Sequence, residues 1–167
     1  PDAAGKIDPV PFLHHEEAQV RREALPLALA RPGLRERALA LALADPDERN
    51  CRVALTQLIP PVPETLVPTL LRRVVQAPRE AALRALGIRA LRGARTPLVR
   101  DAALATAARG RSLVGKVRLA EPDPAVVEAL RLLARDWPDD EEARAVVEAA
   151  ARSRAPEVRD AVTGGGE

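Results

Sequence analysis

Arg22-Glu23-Ala24-Leu25, Arg52-Val53-Ala54-Leu55 and Glu80-Ala81-Ala82-Leu83 are three copies of one short pattern, offset by 30 and 28 residues. The second and third copies each continue to a leucine three residues on, Leu58 and Leu86. A small apolar residue beside a large one, repeated at helical spacing, marks the core-facing stripe of a helix. Second helical patterns lie between the copies, at 33–44 and 64–76. The repeating unit is therefore helix–turn–helix, about 30 residues long.

The punctuation between these stretches agrees. Arg31-Pro32-Gly33, Asp45-Pro46-Asp47, Pro60-Pro61-Val62-Pro63, Ala77-Pro78 and Gly93 interrupt the periodicity. Proline disfavours α conformation in the residue before it, so helices end at such places. Asp47 followed by Glu48 reads as an N-cap with an acid in the first turn, and Asp123-Pro124 as a cap with proline at the first helical position. Asp139-Asp140-Glu141-Glu142 supplies four acids to the start of a later helix, favourable to its dipole. Further helices are expected at 79–92, 97–108, 124–135 and 139–152, and Pro156 to Val162 looks like the first turns of another.

In 79–92, Leu83, Leu86, Ala90 and Leu91 fall on one face. One helical pair cannot bury such a stripe, whereas successive stacked pairs bury a continuous core. The 167 residues suit one compact domain or one stretch of a longer repeat array. Hydrophobic residues make up 47% of the chain and aromatics 1%, so the core is built from Ala, Leu and Val, and small alanines let helices approach closely. The expected fold is an all-α solenoid of four to five stacked antiparallel helical hairpins over 1–167. Within it, 1–12 is an irregular N-terminal segment, 13–92 regular repeats, 93–123 an irregular basic segment, 124–162 further repeats and 163–167 a flexible tail.

Three stretches carry a family resemblance: Gln19-Val20-Arg21-Arg22-Glu23-Ala24-Leu25, Arg52-Val53-Ala54-Leu55 and Pro156-Glu157-Val158-Arg159-Asp160-Ala161-Val162. Alternating with Asp-Pro-Asp turns, they resemble the bacterial HEAT-like repeats of the phycobilisome-lyase type. Val67-Pro68-Thr69-Leu70-Leu71 resembles the proline-bearing first helix of such a unit. The similarity covers 13–92 well and 124–162 loosely, and 97–120 departs from it. The resemblance implies an α-solenoid. It leaves function open, since members act as scaffolds, adaptors, lyase-like chaperones or nucleic-acid binders.

Composition narrows the job. No apolar run approaches the roughly 18 residues of a membrane span, and the first ten residues, PDAAGKIDPV, have no signal-peptide core. The start at Pro1 reads as a fragment or processed form, and the single cysteine, Cys51, fits a reducing, cytoplasmic setting. The net charge is only +2, but it is unevenly spread. Residues 68–120 carry twelve basic and two acidic groups, and residues 121–167 carry six basic and twelve acidic.

Several motifs invite chemistry. Gly110-Arg111-Ser112-Leu113-Val114-Gly115-Lys116-Val117 nearly spells a phosphate-binding loop, but Val117 stands where a Ser or Thr must ligate magnesium, and a helical alanine run precedes it. A basic, glycine-hinged excursion between helices is the favoured reading, and loops that interrupt a solenoid often lie on its binding face. His14-His15-Glu16-Glu17 sets ligand types side by side, yet neighbours on a helix point about 100° apart and do not chelate one ion. HEAT-like hydroxylases use several His-Glu pairs, and only His15-Glu16 is present. Asp136-Trp137 is thin material for a HEAT-like DNA glycosylase, and the tryptophan reads as a filler between helices. Thr96-Pro97-Leu98 matches an ankyrin turn by chance, and Cys51 reads as a buried structural thiol.

The basic middle is the best positive feature. Arg84, Arg89 and Arg92 project within about 140° of each other, opposite the leucine stripe. Arg72, Arg73, Arg95, Arg100, Arg109, Arg111, Lys116 and Arg118 lie nearby in sequence. Convergent on one face, they would attract an acidic protein or phosphates. The expected function is a non-enzymatic protein-interaction scaffold, with no cofactor and no metal. A nucleic-acid or phosphate-binding surface over 72–118 is the first alternative, and a HEAT-like glycosylase or lyase-type enzyme the second. Self-association of the basic middle with the acidic end of another copy is a further reading of the charge pattern.

Overall fold

The structure is a computed structural model that describes residues 7–111 and 116–164. It is mostly helical and divides into two compact units, residues 1–57 and 58–167. The boundary falls inside the stretch 13–92 that the sequence reads as one run of repeats. The Pro60–Pro61 peptide, just past it, is cis.

In the first unit a 3-10 turn, Pro11–His14, precedes α1 (Ala18–Leu29), α2 (Pro32–Leu43) and α3 (Glu48–Thr56). All three helices bury the expected small–large stripe: Ala24, Leu25, Ala28 and Leu29 on α1, Ala38, Leu39, Ala42 and Leu43 on α2, and Cys51, Ala54 and Leu55 on α3. The α1 helix runs through Pro26, whose ring faces solvent and whose missing N–H leaves the Arg22 carbonyl without its usual donor. Asp47 caps α3 by accepting from the Arg49 and Asn50 N–H groups.

Charged side chains tie this unit together at the turn before α3. Arg21 Nε and Nη2 each donate to a different oxygen of Asp45, both at 2.7 Å. The same carboxylate accepts from Asn50 Nδ2 at 2.9 Å and from the Asp47 N–H at 2.8 Å. Arg22 reaches Asn50 and Asp47 in the same way, at 2.8 and 3.0 Å. Asp45 and Asn50 are buried, and each polar group there has a partner.

The second unit begins with a 3-10 turn, Glu64–Leu66, and α4 (Val67–Leu70), which continues as a π-helical turn over Leu71–Val75. Then come α5 (Ala81–Ala90), α6 (Pro97–Ala107), β1 (Ala108–Arg111), β2 (Val117–Leu119), α7 (Pro124–Asp136), α8 (Glu141–Ala151) and α9 (Pro156–Thr163). Thr96, Asp123 and Asp140 cap α6, α7 and α8 by accepting backbone N–H groups. Thr96-Pro97 is thus a helix start of ordinary kind. At the centre lies α7, which packs against α5, α6, α8 and α9 and buries Ala129, Leu130 and Leu133 completely. Gly87 of α5 sits against the π turn: a Cβ there would stand 2.8 Å from Val74 Cγ1.

Two features differ from expectation. The segment read as irregular contains a short antiparallel hairpin, with Ala108 opposite Leu119 and Arg111 opposite Val117. Its register shifts between Ala108 and Arg111, where Gly110 adopts a positive φ of 88°. The second is the π turn, which wraps the end of the 64–76 pattern so that Leu71, Val74 and Val75 are all buried. Among the described residues no helix is long and apolar enough to cross a membrane.

Candidate functional site

The arginines of the basic middle do not share one fate. Arg84 turns back and donates from Nε to the Val75 carbonyl at 2.9 Å, closing the end of the π turn. Arg100 bonds Asp101 and, at 3.0 Å, Asp140. Arg109 stands 3.4 Å from Glu121. Arg89 and Arg92 both approach Glu128. Four of the arginines contributed by residues 68–120 are thus met by acids from 121–167. Part of the charge asymmetry read along the sequence is settled inside the second unit.

Arg72, Arg73, Arg95 and Arg118 are exposed and make no side-chain ion pair among the described residues. Lys116 is exposed, and Arg111 lies at the end of β1 with its side chain, like Ser112 to Gly115, outside the described residues. The near phosphate-loop motif therefore falls mostly outside them, and its visible ends belong to the two strands rather than to a strand followed by a helix.

Glu128 is the hub that the sequence reading did not single out. Its side chain is 3% exposed. Oε1 accepts from Arg89 Nη2 at 2.8 Å and from Arg131 Nη1 at 2.7 Å. Oε2 lies 3.5 Å from Arg92 Nη2 and has no hydrogen-bond partner among the described residues. Burial pushes the Glu128 carboxyl up, but the hydrogen bonds and charges of Arg89 and Arg131 outweigh it and hold the group below its ordinary value. The same pairing raises Arg89. A buried, ionised carboxylate thus fixes guanidinium groups from two helices. The sequence signal was present: Glu128 stands among Ala125, Ala129 and Leu132 on the buried face of α7, where a carboxylate needs a cation.

A groove runs along α7 beside this hub. Pro124, Val127, Glu128, Arg131, Ala134 and Arg135 line it at helical spacing. On the α5 side stand Ala85, Arg89 and Arg92, and on the α9 side Glu157, Asp160, Ala161 and Val162. Two recesses, about 420 and 710 Å³, flank Arg131, which lines both. The larger one carries three guanidinium groups, Arg92, Arg131 and Arg135, against one carboxylate, Asp160. The side chain of Arg135 is 64% exposed, and among the described residues its ion-pair partner is Asp136, at 3.8 Å.

The remaining candidates take structural places. The buried Asp136 accepts the Gly93 N–H at 2.8 Å, where Gly93 has a φ of 79°, so it pins the turn after α5 to the end of α7. Trp137 lines neither large recess. Cys51 is fully buried, its thiol 3.7 Å from the Leu43 carbonyl. His14 to Glu17 are exposed, and His15 Nδ1 accepts the Glu17 N–H. No cluster of three or more His, Cys, Asp or Glu suited to a metal occurs among the described residues.

The fold and groove define a mostly helical protein with a cation-lined recess beside its central helix. Compared with known proteins, the chain matches no family model, no curated protein and no solved structure.

Proposed function

We propose that this chain is a non-enzymatic interaction scaffold of HEAT-like type, whose second unit docks an acidic segment of a partner protein. The observation that carries the reading is the recess of about 710 Å³ lined by Arg131 and Arg135 of α7 and by Arg92 of the turn after α5. Arginine suits such a role because its planar fork binds carboxylates with two parallel bonds. The repeated helix–turn–helix pattern supports the scaffold part, since stacked helical pairs leave extended surfaces for partners.

The test is anisotropy of a fluorescein-labelled hexaglutamate peptide, with labelled hexalysine as the control. The expected result is binding of hexaglutamate alone, weakening between about 50 and about 200 mM salt as charges are screened. Equal binding of both peptides, or binding of neither, contradicts the reading.

Exposed Arg72, Arg73, Arg95 and Arg118, without ion pairs, favour duplex nucleic acid as a second reading. With one Phe, one Trp and no Tyr the chain lacks stacking platforms for single strands, so this second reading is confined to duplexes.

A further inference from the structure

We infer that the recess between the turn after α5, the C-terminal half of α7 and α9 is a carboxylate-binding subsite. In it, Arg92, Arg131 and Arg135 grip acidic side chains of a partner peptide. This rests on the docking role proposed above and names the residues and chemistry of one site within it.

Three observations join here. The recess is large enough, at about 710 Å³, to take side chains and not only water. Its lining holds three arginines and one acid, Asp160, and although Glu128 and Asp136 behind the arginines offset part of that surplus, guanidinium N–H groups remain for an incoming carboxylate. One of the three guanidinium groups is held in advance by a hydrogen bond, and a second stands within ion-pair distance of the same carboxylate. Arg131 is held at 2.7 Å by Glu128 Oε1, and Arg92 stands 3.5 Å from Glu128 Oε2. Glu128 occupies one side of these forks from within the protein and leaves their remaining N–H groups for the recess. Arginine has five N–H donors, so one internal bond does not exhaust it.

Arg135 completes the set from one turn further along α7. Its side chain is more than half exposed; Asp136 faces it with Oδ1 at 3.8 Å, while Oδ2 of the same carboxylate accepts the Gly93 N–H. Holding Arg131 in place reduces the rotamer freedom lost when a ligand binds. A peptide carboxylate is the occupant that fits, because arginine's planar fork pairs a carboxylate with two parallel bonds and separate acidic side chains can enter a recess of this size one at a time.

The experiment compares the full chain with Arg135→Gln, Arg135→Lys and the distant Arg72→Gln in the hexaglutamate titration. Arg135→Gln should keep the fold, because the Arg135 side chain is 64% exposed and its ion pair with Asp136, at 3.8 Å, is long. The expected result is about tenfold weaker binding for Arg135→Gln, partial recovery for Arg135→Lys and no change for Arg72→Gln, as loss of one charge-assisted bidentate contact requires. Arg92→Gln should weaken binding similarly and serves as a second, independent variant. If wild type binds and Arg135→Gln and Arg92→Gln bind equally well, the subsite is overturned, and the acidic peptide docks elsewhere on the chain. If wild type does not bind, both fall. If labelled duplex DNA binds more tightly than hexaglutamate and loses affinity with Arg135→Gln, the site exists but its peptide occupant is overturned.

Discussion

Asp45 shows how much of this structure hangs on single charged residues. Its two oxygens accept four hydrogen bonds, two from Arg21 and one each from Asn50 and the Asp47 backbone. Burial pushes its carboxyl up, yet the Arg21 and Asn50 bonds hold it below the ordinary carboxylate value. Asp47, Glu128 and Asp140 are lowered as well. The sign follows. A carboxyl with a lower pKa in the folded state binds fewer protons there than in the unfolded chain. Its stabilisation is complete above the unfolded value, about 4, and is lost as pH falls through that value and below. Urea midpoints should therefore drop steeply below about pH 4. Asp45→Asn, which turns an NH₂ toward two of the four donors and removes the charge facing Arg21, should cost on the order of 2 kcal/mol at neutral pH. The gap to wild type should narrow in acid. A gap that is constant with pH would refute the account of Asp45. In the sequence, Asp45 was legible only as part of a turn. Its partner Arg21 lies 24 residues away, and periodicity cannot say that Arg21 takes Asp45 while its neighbour Arg22 takes Asn50 and Asp47.

Most helices were legible as elements. The stripes and proline breaks place α2, α5, α6, α7, α8 and α9 close to where they form, because an apolar face and a capping acid are both local signals. Asp47 and Asp123 cap as expected. What escaped was set by neighbours. The π turn at Leu71–Val75 follows from packing against α5, where Gly87 makes room for Val74. The hairpin of β1 and β2 depends on pairing across a basic stretch with no alternating pattern. Gly87 allows a sharp test. In an exposed helix, Gly→Ala stabilises by about 1 kcal/mol. Here the new Cβ would meet the fully buried Val74 at 2.8 Å, so Gly87→Ala should destabilise, net, by about 1 kcal/mol. Thermal melts decide it, and a raised Tm would show that α5 and the π turn can move apart.

At the scale of the molecule, the basic middle and the acidic end are two halves of one charge pattern. Arg89, Arg92, Arg100 and Arg109 meet Glu128, Asp140 and Glu121 within the second unit. Sequence arithmetic saw the surplus of arginine but not where it is balanced. It therefore named Arg84 and Arg100 beside Arg92, although the first serves the backbone and the second an N-cap acid. It also missed Arg131 and Arg135, because they lie in a segment of net negative charge. The recess combines cations from both halves, which only folding brings together.

The most direct measurement of this account is a chemical-shift map of the ¹⁵N-labelled chain during titration with hexaglutamate. The account predicts that the amides of Arg92, Arg131, Arg135 and Gly164, which border the larger recess, move together and saturate at one affinity. Shifts centred on Arg72 and Arg73, or none at any peptide concentration, would contradict it.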